Sequence, residues 1–159
     1  MSITLNNFCK QLTAKTKETQ DFLDNIAPRL AGEIALKHAE DNFRREGLGG
    51  RRWKEVKRRI PGTAAYRSNA KKHPARLTRK ILTGDTGDLG RSLSAEYGKG
   101  TVTIGSDVVY AKVHNEGLHA GRGKGFTMPK RQFLSDGKML TDLVKETIAK
   151  RFNELFKNN

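Results

Sequence analysis

The sequence predicts an α+β fold: a long N-terminal helix, a small antiparallel β-sheet, an amphipathic C-terminal helix and a long basic loop. Three observations predict it. Apolar residues recur at helical spacing near both ends, two short runs around residue 100 alternate apolar and polar side chains, and no period persists between residues 47 and 80. A chain of 159 residues suits one domain, so we expect a single domain over residues 1–159.

Residues 4–46 are predicted to be mostly helical. Leu5, Phe8 and Leu12 begin an apolar stripe, and a second stripe follows at intervals of four positions: Phe22, Ile26, Leu30 and Ile34. Pro28 lacks an amide hydrogen, so a kink or a new helix start is expected near it. The glycines between residues 47 and 50 end the helix.

Nearly all of the positive charge lies in one segment. Residues 44–80 hold fourteen Lys or Arg and two Asp or Glu, a net charge of +12 out of +14 for the whole chain. Within it, residues 47–80 contain few apolar residues and are interrupted by Gly, Pro, Ser and Asn. We therefore predict a long, mobile loop over residues 47–80, with one helical turn near Trp53. Trp53 either anchors this loop on the core or contacts a partner.

The middle of the chain predicts a short helix and a β-hairpin. Thr86 or Asp88 is placed to cap a helix that runs to Leu93. Two strands, at residues 92–97 and 101–105, flank a turn that contains glycine. The apolar run within residues 108–116 is too short for its period to distinguish a strand from a helix.

The last third predicts a glycine-rich loop, a short strand and a helix. The loop covers residues 117–125, and the strand covers residues 126–134 with a turn at Pro129. Residues 138–156 form an amphipathic helix whose apolar stripe consists of Leu140, Leu143, Val144, Ile148, Phe152, Leu155 and Phe156.

No catalytic, cofactor or metal site is predicted. His114, Glu116 and His119 lie close in sequence, but neither an HExxH pattern nor a cysteine pair accompanies them. Ser106 and Asp107 lack a nucleophile-elbow pattern, and "TGDTGDLG" lacks the spacing of a phosphate-binding loop. Cys9 is the only cysteine, which excludes an intramolecular disulfide. No apolar run is long enough for a membrane helix, and no signal peptide is expected.

The basic segment favours contact with an anionic partner. Its cations are interleaved with Trp53 and Tyr66, an arrangement that suits sequence-independent binding of DNA phosphates with an aromatic ring for stacking. The alternative is an arm that orders on a partner protein. The candidate contact residues for DNA or protein are Arg51, Arg52, Trp53, Lys57, Arg58, Arg59, Lys71 and Lys72.

Several short motifs occur in a characteristic order. Phe43 is followed by glycines and "RRWKEV", then by "ILTGDTGDLGRSL" at residues 81–93, "VTIGSDVVYAKVHNEG" at 102–117, "MPKRQFL" at 128–134 and the closing helix. From Phe43 onward this order resembles the phage virion morphogenesis, or tail completion, family of Mu-like phages and prophages. The chain departs at "HNEG", where many relatives carry His-Gln, an aromatic residue and Gly, and at Lys130 and Gln132.

The motif positions carried by this resemblance are Thr86, Gly87, Leu89, Gly105, Tyr110, Ala111, His114, Gly117, Pro129, Arg131, Phe133 and Leu134. We expect them to be structural, with His114 as a hydrogen-bonding corner residue that touches residues 128–134.

The resemblance implies a non-enzymatic structural protein of the virion, at the head–tail junction or the head-proximal end of the tail. It implies a homo-oligomeric ring, often a hexamer, with phage connector or neck and tail-tube proteins as partners. Such a protein is assembled in the host cytoplasm and has no membrane partner. The alternative function, from the residues alone, is non-specific DNA binding by residues 44–80.

Overall fold

The N-terminal helix is long and is interrupted next to Pro28. The computed structural model describes the backbone of residues 5–157 and the side chains of residues 9–11, 13–155 and 157. Helix α1 spans Leu5–Asp21, a single π-helical turn spans Phe22–Ile26, and α2 spans Ala27–Arg45. Some predicted helix positions lie outside the described residues. They are position 4 and the side chains of Leu5, Phe8, Leu12 and Phe156.

The π-helical turn follows from the missing amide hydrogen of Pro28. The N–H of Ala27 donates to the carbonyl of Phe22, five residues back. The carbonyl of Asp24, which the residue at position 28 would bind in a regular helix, accepts instead from the N–H of Gly100, at 3.0 Å. The interruption predicted near Pro28 is therefore confirmed, and it ties the helix to the β-hairpin.

The basic segment differs from the predicted loop, because short elements occupy it. Strands β1 (Gly47–Leu48) and β2 (Arg51–Arg52) form a hairpin, and a 3₁₀ turn (Lys57–Arg59), helix α3 (Ala64–Lys72) and a second 3₁₀ turn (Pro74–Leu77) follow. The hydroxyl of Thr63 caps α3 by accepting from the N–H of Tyr66, at 3.0 Å. Helix α3 has no buried residue, so its sequence shows no apolar stripe from which the helix could be predicted.

The predicted β-hairpin is confirmed. Strand β3 (Leu93–Gly98) pairs antiparallel with β4 (Thr101–Ser106), with Leu93 opposite Ser106 and Gly98 opposite Thr101. Helix α4 before it spans only Asp88–Arg91. Its N-cap is Gly87, and neither Thr86 nor Asp88 caps it, which corrects the prediction. The hydroxyl of Thr86 instead donates to the carboxylate of Asp88.

The ambiguous run before residue 117 is a helix, α5 (Ala111–Glu116). Strand β5 (His119–Ala120) lies inside the predicted glycine-rich loop and pairs antiparallel with β6 (Phe126–Thr127). The strand predicted over residues 126–134 is therefore too long, since only its first two residues pair.

The C-terminal helix α6 (Lys138–Lys157) is confirmed and packs against α2. The rings of Phe22 and Phe152 meet edge to face with their centroids 5.3 Å apart. The main core cluster lies at the C-terminal end of α2 and consists of Phe43, Trp53, Ile81, Leu89, Ala111 and Phe133. Within residues 5–157, no helix is both long and apolar enough to cross a membrane.

Candidate functional site

Residues 128–134 cross the core without regular secondary structure, and neighbouring side chains satisfy their backbone groups. The side-chain oxygen of Asn115 accepts from the N–H groups of Phe133 and Leu134, both at 2.9 Å. The amide nitrogen of Asn42 donates to the carbonyl of Phe133 at 3.1 Å. Because buried backbone groups need partners, these two asparagines let the Phe133 side chain, 1% exposed, enter the core.

Trp53 joins the same segment. Its indole N–H donates to the carbonyl of Gln132 at 3.0 Å, and its ring meets that of Phe43 edge to face at 5.8 Å. Trp53 is buried, as the anchoring interpretation expects. In this conformation its ring has no open face on which a base could stack.

Arg131 and His114 form the other side of this crossing. The backbone N–H of Arg131 donates to the carbonyl of His114 at 2.8 Å, so His114 does touch residues 128–134. The contact uses the main chain, whereas the ring nitrogen Nδ1 of His114 is buried and has no hydrogen-bond partner among the described residues. Burial, and next the positive charge of Arg131, lowers the pKa of His114, which favours the neutral imidazole.

Five of the motif residues line one cleft of about 370 Å³: Thr86, Leu89, Tyr110, His114 and Arg131. Glu116 lines a different cavity, on the side of α5 that faces Ser135 and Leu140, and His119 lies in β5. The three residues weighed as metal ligands therefore do not converge. In the part of the chain that the structure describes, no group of three or more His, Cys, Asp or Glu side chains is placed to hold a metal ion.

The remaining motif residues shape the backbone or fill the core. Gly117 ends α5 with a φ of 75°, and a Cβ atom there would lie 2.9 Å from the backbone nitrogen of Lys130. Ala111 and Phe133 are buried, Leu134 packs against them, and Pro129 is half-buried. Gly87 caps α4, and Gly105 lies in β4 opposite Ser94.

The basic candidates divide into two groups. Five are exposed: Arg51, Arg52, Lys57, Lys71 and Lys72. Arg58 and Arg59 are partly buried, and their guanidinium groups donate hydrogen bonds to backbone carbonyls of the same chain. Arg58 donates to the carbonyls of Arg76, Arg79 and Lys80 at 2.9, 2.8 and 3.0 Å, and Arg59 donates to the carbonyl of Arg79 at 2.7 Å. These two guanidinium groups fold the basic segment and are not free for an external anion.

Glu46 was missed by the sequence analysis. It caps α2 in the left-handed conformation, with a φ of 54°, and its carbonyl accepts from the N–H of Trp53 at 2.7 Å. Hydrogen bonds from Arg59, and then from the backbone of Ile81, lower the pKa of Glu46 against the opposing effect of burial. The sequence offers one signal for such a role, because Glu46 and Glu55 are the only acidic residues among the many cations of residues 44–80.

The chain thus has a basic α+β fold in which several motif residues contact residues 128–134. The model of the phage virion morphogenesis family matches residues 3–153, and the chain belongs to this family. The match confirms the resemblance to the phage virion morphogenesis family and extends it over the N-terminal helix. No curated protein and no solved structure matches the chain. Family membership indicates a structural or assembly role in a phage virion.

Proposed function

We propose that the protein completes the tail or joins head and tail in a tailed phage or prophage, as a non-enzymatic subunit of a homo-oligomeric ring. The observation that carries the proposal is the family match over residues 3–153 of 159. The partners are the connector or neck and tail-tube proteins, the site is the head–tail junction or the tail end, and the ring is a hexamer assembled in the host cytoplasm.

The surface supports a role in subunit contacts. Large apolar side chains are exposed near the motif residues, among them Val109, 93% exposed, and Phe126, 57% exposed. Contact with another subunit would remove this apolar area from water, which favours association. The described sheets have two strands each, so their outer edges carry backbone groups that a neighbouring strand can pair.

The test is removal of the gene from an inducible prophage, followed by electron microscopy of the lysate. We expect heads and tails that remain separate, or tails with an unfinished end, and recovery of infectious particles when the gene is supplied on a plasmid. Normal infectious particles in the deletion strain would contradict the proposal.

A second candidate function is non-specific contact with DNA, and the exposed cations favour it. Arg51, Arg52, Lys57, Lys71 and Lys72 are the residues available, whereas Arg58 and Arg59 are engaged internally. Changing the five exposed cations to Gln should weaken duplex binding. It should also make the slope of the logarithm of the binding constant against the logarithm of the salt concentration less steep, by about 0.9 for each lost phosphate contact. No measurable duplex binding by the unmodified protein at about 50 mM salt would exclude this function.

A further inference from the structure

Arg131 is a buried cation that forms no ion pair with any described residue. Its side chain lines the cleft of motif residues, yet the residue is only 6% exposed. Nε and Nη2 donate to the carbonyl of Lys54 at 3.2 and 3.1 Å, and Nη1, which has no acceptor among the described residues, is accessible to solvent. The acid whose charge acts on it is Glu55, which pairs with Arg59 at 3.5 Å. Buried charges in proteins are normally paired, so Arg131 lacks an expected partner.

A second polar group of the cleft, the ring of His114, also lacks a hydrogen-bond partner among the described residues. His114 lines the same cleft, and its buried Nδ1 has no hydrogen bond within the described part of the chain. In the neutral imidazole, the tautomer with its hydrogen on Nδ1 would make this nitrogen a donor. Arg58 also lines the cleft, but its guanidinium already donates to three carbonyls.

The cleft is suited to one small planar anion. Apolar side chains of Val56, Leu82, Leu89 and Met128 line it together with the hydroxyl-bearing Thr86 and Tyr110. Its volume, about 370 Å³, leaves ample room for a carboxylate side chain, since a water molecule takes about 30 Å³ of liquid volume. Asp88 adds a negative charge to the lining, which disfavours a more highly charged anion.

We propose that this cleft is a carboxylate-binding site in which Arg131 binds an acidic side chain of a neighbouring protein subunit. A guanidinium and a carboxylate are both planar and match each other in a paired hydrogen-bonding geometry. Delivery by a neighbouring subunit rests on the proposed assembly role, whereas binding of a free carboxylate does not.

The test is nitrogen-15 NMR of the Arg131 guanidinium and the His114 ring in the full-length protein, with sodium acetate titrated at fixed pH. Sodium chloride at equal ionic strength is the reference salt. With acetate we expect saturable changes in the nitrogen-15 chemical shifts, with a dissociation constant on the order of 1 mM. With chloride we expect small changes that are linear in concentration. Equal responses to the two salts would overturn the proposal.

Two matched variants sharpen the test. Asp88→Asn removes the acid of the cleft and should tighten acetate binding about two- to fivefold. Asp142→Asn, which breaks a surface ion pair with Lys138 on α6, makes the same charge change away from the cleft and should leave binding unchanged. Arg131→Lys should abolish the saturable response. If that variant does not fold, an unchanged affinity in Asp88→Asn is sufficient to reject the site.

Two further arms identify the source of the anion. Dimethyl phosphate represents a nucleic-acid backbone, and tighter binding of this probe than of acetate would overturn the assignment to carboxylate. If a second copy of the chain supplies the acid, acetate binding weakens as protein concentration rises, because the copies compete. If another virion protein supplies it, acetate affinity is independent of protein concentration. Saturable acetate binding by a protein that never assembles would support the site and reject the proposed function separately.

Discussion

Glu46 and Arg59 form a paired hydrogen-bonded ion pair, with Nη1 to Oε2 at 2.9 Å and Nη2 to Oε1 at 2.7 Å. Oε1 of Glu46 also accepts from the backbone N–H of Ile81 at 2.7 Å. One carboxylate therefore joins the end of α2, the 3₁₀ turn of the basic segment and the start of the "ILTGDTGDLGRSL" motif. Both side chains are less than a fifth exposed, at 17% and 18%, so water screens the pair only partly.

Glu46→Gln is expected to lower the free energy of unfolding at pH 7 by about 1.5–3 kcal/mol, because it removes a charged hydrogen-bond acceptor and leaves Arg59 only its 3.5 Å pair with the exposed Glu55. Urea denaturation measures the change. Glu40→Gln, an exposed position on the same helix, is the control and should stay within about 0.5 kcal/mol of the unmodified protein.

The cost of Glu46→Gln depends on pH in a defined direction. Hydrogen bonding to Arg59 lowers the pKa of Glu46 in the folded protein below the value of 4.5 expected when unfolded. Its stabilising contribution is fully present above that value and is lost as pH falls through the folded pKa. The stabilities of the two proteins should converge in acid, and a difference that stays constant down to pH 2 would contradict this role.

Arg58 and Lys57 are adjacent cations with different expected roles. Arg58→Ala removes donors to three carbonyls and should destabilise the basic segment by about 2–3 kcal/mol. Lys57→Ala, at an exposed position, should have almost no effect. Amide hydrogen exchange over residues 57–80 measures the difference. Equal protection in the two variants would show that Arg58 does not hold this segment.

Gly100 is expected to tolerate Asn better than Ala. Its φ is 67°, and its N–H donates to the carbonyl of Asp24 that Pro28 leaves free. A Cβ atom there meets only ordinary contacts, the nearest at 3.8 Å, so the cost is conformational. Gly100→Ala should lose about 1–2 kcal/mol in thermal or urea unfolding, and Gly100→Asn less. An equal loss in both variants would indicate a steric cause instead.

Asn115 is expected to act through its side-chain oxygen. Asn115→Ala leaves the N–H groups of Phe133 and Leu134 without their acceptor and should cost about 2–4 kcal/mol. Asn115→Asp keeps both bonds and should cost less at neutral pH. Asn153→Ala, at an exposed position on α6, is the control for urea denaturation. If the Ala and Asp variants are equally unstable, the acceptor role is wrong.

The strongly periodic parts of the fold were predictable. The stripe from Phe22 to Ile34 and part of the α6 stripe are at least partly buried, although Leu143 and Leu155 are exposed, and the hairpin sequence alternates with a period of two. These periods made the elements recognisable in the sequence. Even the interruption near Pro28 followed from local chemistry.

The basic segment and the polar core were not predictable from pattern. Helix α3 buries no residue, and the segment is held by arginines that bind backbone carbonyls, which leave no periodic signal. Likewise, nothing in the sequence distinguishes Asn42, which is buried and bonded to Phe133, from an exposed asparagine. The order of the motifs identified the family, but the cleft that several of them line depends on tertiary packing.

The mass of the assembled protein tests the central claim most directly. Native mass spectrometry over a range of protein concentrations, with electron microscopy of the same samples, should show one closed ring of identical subunits, with six as the expected number. We expect the ring to form either from the purified protein or on addition of the neighbouring virion proteins. A protein that remains monomeric at every concentration, and also with its connector and tail-tube partners, would contradict the account.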